Sequence, residues 1–355
     1  MADSLFETVR AMPKIELHRH LEGSLRLDTM VEIARKHKFE MPEYSVEGLR
    51  PLVQMMPGEP RTWQNFLAKF RAIREFFLSP DVIQRITREA VIDAADDNVN
   101  YMELRFTPKA LCNLVKWSFH DAVSLVCDTV AETAAEYDID VRLIVSINRH
   151  ESIEIGEETT RAAIDHRDRG VVGLDLCGME TGHPAYPFRG QFKEAREAGL
   201  RITLHAGEWE GPESVWDALS NIGAERIGHG VRAIEDHGII NVLKGLGIVL
   251  EVCPTSNVDS GVVADIRSHP LPRLIANGVK TTLNTDDPVV SGIQLSDELY
   301  RVVKYMSLTI DDVKQQVLMA AQSAFLPEDE KAALVAKFEG WLYPEAEPQK
   351  PHIDA

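Results

Sequence analysis

Along this chain, short stretches in which apolar residues alternate with polar ones, or run together, are each followed by a longer stretch with helical spacing. "KIELHRH" alternates from near Ile15, which predicts a strand with Ile15, Leu17 and Arg19 on one side and Glu16, His18 and His20 on the other. "VNYMELRFTP" begins a second strand at Val99, and Pro108 ends it. Further apolar runs start near 141, 171, 200, 226, 248 and 279. Between them lie helical patterns. In "SPDVIQRITREAVIDAADD", Ser79 is placed to cap, Pro80 to take the first helical position, and Ile83, Ile86, Ala90 and Ala94 to form one apolar stripe. "SFHDAVSLVCDTVAETAAEY" repeats the device, with Ser118 as the cap and Val123, Cys127, Val130 and Ala134 facing inward. "FRGQFKEAREAG" stops at Gly199.

Eight strand-helix units at spacings that leave room for crossover helices predict an α/β fold, a closed (β/α)8 TIM barrel. The main rival is an open doubly wound sheet, but no GxGxxG follows the first strand. The gap between the first and second strands is much longer than the others and holds "TWQNFLAKFRAIREFF", whose Phe66, Phe70, Ile73 and Phe77 follow helical spacing. A helical insert after the first strand belongs on the rim of a barrel, where it is a candidate lid. The expected organisation is one domain over 1–355, with the rim insert at about 39–78 and a C-terminal helix and proline-rich tail at about 327–355.

Charge then narrows the partners. With 38 Lys and Arg against 56 Asp and Glu, the formal charge of -18 repels phosphate backbones and anionic lipid, so no nucleic acid and no membrane partner is expected. A small-molecule substrate fits better, and oligomeric state is left undetermined. The four cysteines lie far apart without a CxxC pair, which suits buried thiols rather than a disulfide framework or a thiolate zinc site. No signal peptide and no long apolar span is visible, so the cytoplasm is the expected compartment.

In a barrel, reactive groups gather where strands end. His18 and His20 end the first predicted strand, His205 and Glu208 the fifth, His229 the sixth, and Asp286 and Asp287 the eighth. Any one of these alone reads as an ordinary hydrogen-bonding residue. Together they form a set. Because a strand has a period of two, both imidazoles of His18 and His20 point the same way and can reach one ion at about 2.0–2.1 Å. His205 and one of the two aspartates would complete three nitrogens and an oxygen, a set that suits zinc, with iron and cobalt chemically admissible. "LDLCG" at the fourth strand offers no lysine for a carbamylated bridge, which favours a single metal, one Zn2+ per chain. Zinc would make its water nucleophilic near neutral pH. His229 could orient that water or take its proton, and Glu208, three residues past His205, suits a proton shuttle.

The stretches "ELHRHLEGS" at 16–24, "YMELRFTP" at 101–108, "GLDLCGME" at 173–180, "TLHAGE" at 203–208, "RIGHG" at 226–230 and "NTDDP" at 284–288 resemble, in order, the motifs of the adenosine deaminase family of metal-dependent amidohydrolases. That resemblance implies a (β/α)8 barrel that hydrolytically removes the 6-amino group of a purine nucleoside or base. It implies His18, His20, His205 and Asp286 as zinc ligands, Glu208 as proton donor to purine N1, and His229 beside the attacking water. Asp287 would help hold the water and hydrogen-bond toward N7, the Gly178 backbone would contact N3, and His20 and Glu22 would border the substrate. The expected substrate is adenosine or deoxyadenosine. Glu22 stands where adenosine-specialised relatives often carry Asp near the ribose 5'-hydroxyl, and "CPTSN" at 253–257 resembles the microbial and adenine-deaminase-like branches. The alternatives are therefore adenine itself, or another adenine compound such as aminodeoxyfutalosine or an N6-modified adenosine. A barrel kept only as a binding protein is a rival of a different class. Arg19, between the two histidines, is expected to point away from them into a structural ion pair.

Overall fold

The computed structural model describes residues 4–344. Its strands are β1 (Lys14–His20), β2 (Val99–Phe106), β3 (Asp140–Asn148), β4 (Val171–Cys177), β5 (Arg201–Ala206), β6 (Arg226–His229), β7 (Val249–Val252) and β8 (Lys280–Leu283). All pair in parallel, each with its neighbour in sequence. The ring closes just past β8. There the His20 N–H donates to the Asp286 carbonyl at 2.8 Å, and the Asp286 N–H donates to the His18 carbonyl at 3.0 Å. This is the predicted (β/α)8 barrel.

The helices follow the sequence signals. Ser79 accepts from the Val82 N–H and Pro80 opens the Pro80–Asp96 helix, whose Ile83, Ile86, Ala90 and Ala94 are fully buried. Ser118 and Asp121 form a capping box at the start of Phe119–Tyr137, with Val123, Cys127 and Val130 inward. A chain tail falls at residues 345–355, outside the described residues; the helix before it, Glu328–Leu342, is present. No helix among the described residues is long and apolar enough to cross a membrane.

Two sequence expectations need correction. In β1 the register slips between Glu16 and Arg19, so three residues of β1 advance against two of β2. Glu16 therefore does not share a side with His18 and His20. Its carboxylate takes the Thr285 N–H at 2.9 Å and lies 3.5 Å from the Arg19 guanidinium, the structural ion pair expected for Arg19. The aromatic helix of the insert is also shorter than its pattern. Thr62 caps it, it runs Trp63–Arg74, and Phe77 lies buried beyond its end. The gap between β1 and β2 also contains the helices Leu27–His37 and Val46–Val53.

Candidate active site

Buried polar side chains meet at the C-terminal mouth of the barrel. His18 and His20 come from the end of β1 and His205 from β5, while Asp286 follows β8. One ligand atom from each of these four lies within 4.8 Å of all the others. His20 Nε2 and His205 Nε2 are 3.1 Å apart, and Asp286 Oδ1 lies 3.1 Å from His18 Nε2 and 3.3 Å from His20 Nε2.

The outer face of the cluster fixes the ring orientations. His18 Nδ1 is 2.8 Å from Glu251 Oε2, and His205 Nδ1 is 3.1 Å from Asp175 Oδ1. A carboxylate can only accept, so these contacts put protons on Nδ1 and leave Nε2 bare. His18 Nε2 is sealed from solvent with no hydrogen-bond partner. Three converging imidazoles and a carboxylate with an orphaned nitrogen fit a borderline divalent ion such as zinc. A second grouping, His18, His229, Cys253 and Asp286, is geometrically close but chemically poorer. Burial, with Asp286 and Glu298 nearby, pushes the Cys253 thiol far above its usual range, whereas a metal needs the thiolate. The end of β4 supplies no lysine for a bridge; its buried Asp175 is engaged with His205 and Arg105.

Electrostatics separates the two neighbouring aspartates. Burial opposes the charged form of Asp286, but His229, His18 and His20 around it hold its carboxyl well below the usual range. Asp287 goes the opposite way: burial, then Asp286, Glu22 and Glu208, push it well above. Asp286 has φ of 68° and His229 of 59°, left-handed conformations that are uncommon outside glycine and recur at functional sites. The turn at Asp286 lets both aspartates line one pocket.

Glu208 faces the same pocket, buried, and its carboxyl is pushed well above the carboxylate range by burial and then by Asp286 and Glu180. His229 Nε2 lies 3.6 Å from Glu208 Oε2 and 3.8 Å from Asp286 Oδ2. Gly178 has φ of 84°, and a side chain there would meet His150 Nδ1 at 2.9 Å, so the position demands glycine. The cleft, about 550 Å³ with its open mouth, is roofed by Phe66 and Phe70 of the Trp63–Arg74 helix, beside Trp209. Trp63 stacks on Trp209 with ring centroids 6.0 Å apart, tying the insert to the loop after β5.

All nine residues singled out in the sequence meet at this mouth. His18 lies just beneath the cleft, and the rest line it. Sequence reasoning missed Arg74. Its guanidinium lines the cleft, makes no side-chain hydrogen bond or ion pair among the described residues, and has its Nε sealed from solvent. It also missed Glu180, whose carboxylate takes the backbone N–H groups of Gly207 (2.7 Å), Glu208 (3.1 Å), Trp209 (2.6 Å) and Glu210 (2.9 Å). "LCGME" carried that signal, two residues past the glycine the sequence pointed to.

A parallel barrel with an HxH strand end, a third histidine and an aspartate converging over its mouth defines the amidohydrolase class. The family model for adenosine deaminase matches residues 13–341. Adenosine deaminase of Klebsiella pneumoniae subsp. pneumoniae is 37% identical over 327 residues, spanning 92% of this chain and 98% of the relative. The crystal structure of adenine deaminase from Arthrobacter aurescens superposes with a TM-score of 0.85 at 27% identity, covering 94% of this chain and 99% of that one. An amidohydrolase from Burkholderia ambifaria with bound Zn gives a TM-score of 0.86 at 25% identity, covering 96% and 94%. The chain belongs to the adenosine deaminase family, and is a hydrolytic deaminase.

Proposed function

We propose that the protein deaminates adenosine and deoxyadenosine, releasing ammonia and leaving inosine or deoxyinosine, with one zinc ion held by His18, His20, His205 and Asp286. The observation that carries this reading is one pocket in which a buried carboxyl pushed toward its protonated form, Glu208, faces the four-residue cluster. When bound, zinc supplies the Lewis acidity that makes water a nucleophile near neutral pH. Glu208 donates its proton to purine N1, which withdraws electrons from C6 and opens it to addition of water. The amino group leaves as ammonia once protonated, and C6 keeps the oxygen. His229 lies beside the point of attack, Asp287 in its protonated form donates toward N7, and the Gly178 backbone borders the N3 edge.

The nucleoside is favoured over the free base by two unmet groups. Glu22 Oε1 accepts from the Thr107 N–H at 2.7 Å, but Oε2 is buried without a partner, and Arg74 lines the same cleft with its guanidinium unpaired. Leaving a buried donor and acceptor unmet is costly, about 1–3 kcal/mol each. A ribose hydroxyl donates and accepts, so it can serve both, whereas free adenine brings no hydroxyl to them. The test is release of the 6-amino group by the zinc-loaded protein, read as ammonia from adenine, adenosine, deoxyadenosine and aminodeoxyfutalosine and as methylamine from N6-methyladenosine. The highest kcat/KM is expected for the two unmodified nucleosides. Release from adenine alone, or from a modified compound alone, would overturn the assignment.

A further inference from the structure

Behind His229, away from the cleft, lies a line of buried polar groups that the chemistry above does not use. The Leu271 N–H donates to His269 Nδ1 at 3.1 Å, His269 Nε2 lies 3.2 Å from Asn257 Oδ1, and Asn257 Nδ2 lies 3.1 Å from His229 Nδ1. His269, Asn257 and His229 are at most 4% exposed. A backbone amide can only donate, and this fixes the direction of every later link. His269 Nδ1 must accept, so its proton sits on Nε2 and goes to the Asn257 carbonyl oxygen. The Asn257 amide nitrogen then donates to His229 Nδ1. That leaves the His229 proton on Nε2, pointing at the cleft, where the nearest carboxylate oxygens, on Glu208 and Asp286, are acceptors.

We propose that Asn257 and His269 are positioning residues that set the tautomer of His229, so that His229 presents an N–H to the attacking water and orients it, rather than a bare nitrogen that removes its proton. The inference rests on the deaminase reading for what the N–H is used for, while the tautomer itself stands on the hydrogen-bond chain alone. Burial supports the assignment by pushing His269 down to about 3, so it relays as a neutral imidazole.

Two readouts test it on the zinc-loaded full chain. In the nitrogen NMR spectrum of isotope-labelled histidine, with His229 assigned by its absence in His229→Ala, the expected signal is a protonated Nε2 and a bare Nδ1. The reverse pattern overturns the proposal whatever the substrate proves to be, so its failure is separable from failure of the deaminase reading. Asn257→Asp keeps the side chain's size but replaces the donor toward Nδ1 with an acceptor, which moves the His229 proton to Nδ1. Loss of one aimed donor predicts a fall in kcat of roughly 10²–10³-fold with KM for adenosine changing far less. Full kcat in Asn257→Asp, or a loss confined to KM, contradicts the proposal. As a control on folding, His269→Gln restores an amide N–H toward Asn257 and is expected to recover kcat relative to His269→Leu. Equal losses in the two count against the relay.

Discussion

In the proposed mechanism Glu208 acts as an acid, which requires that it hold its proton, and its surroundings favour that form. Its pKa is raised, first by burial and then by Asp286 and Glu180, so the protonated form survives to higher pH than in a free glutamate and is lost as pH rises further. The kcat–pH profile is therefore expected to fall on its alkaline side. Glu208→Gln should lower kcat roughly 10²–10⁴-fold and remove that limb; a limb that persists in this variant would assign it to another group. At this scale the sequence was readable where strand ends declare themselves. His18, His20, His205, Glu208 and Asp286 each sit at or just beyond the last apolar residue of a run, where period two and barrel geometry say which way they face. Arg74, Asn257 and His269 were not readable. A last-turn arginine on an amphipathic helix resembles any solvated charge, and a histidine before a proline marks a turn; only the folded chain brings them to the cleft or behind it.

One carboxylate organises the segment that presents Glu208. Four successive N–H groups after β5 and the Ser214 hydroxyl (2.5 Å) converge on Glu180, holding Gly207 to Glu210 as a tight loop. Such a nest of donors suits an anion, and an amide in its place offers one acceptor and turns two donors against the others. Glu180→Gln is expected to lower kcat roughly ten- to a hundred-fold with a smaller change in KM. In a Glu208→Gln background the same substitution should cost little further, because the loop then has no acid to aim. An undiminished additional loss would show that Glu180 acts only on the fold. Among the elements, the strands and the capped helices were visible from apolar runs, proline and serine signals, except that "RIGHG" at β6 is too short to read by propensity and was placed by its position in the strand-helix cycle. The slip in β1 was not, because it depends on how Glu16 meets Thr285 and Arg19 across the closing seam, a contact between distant parts of the chain.

Across the whole molecule, the barrel interior beneath the site is ionic rather than oily. Arg105 Nη2 reaches Glu251 Oε2 at 2.6 Å, Arg226 Nε reaches Glu251 Oε1 at 2.7 Å, and Arg226 also pairs with Glu103. All four are buried. The alternating Tyr101, Glu103 and Arg105 of β2 carried this pattern, but a polar residue inside a strand reads equally well as facing solvent. Removing one member of such a web strands the others, at a typical cost of about 3–5 kcal/mol. Here the web also reaches upward: Glu251 holds His18 and Asp175 holds His205, so the floor of the barrel aims the nitrogens proposed to bind the metal. Deamination by the proposed route requires those nitrogens and the Asp286 carboxylate to share one ion. The most direct test is the metal content of the purified, zinc-equilibrated protein by elemental mass spectrometry, alongside His205→Ala and Glu208→Gln. One zinc per chain is predicted for the unsubstituted protein and for Glu208→Gln, with loss in His205→Ala. Two ions per chain, none, or an undiminished content in His205→Ala would contradict it.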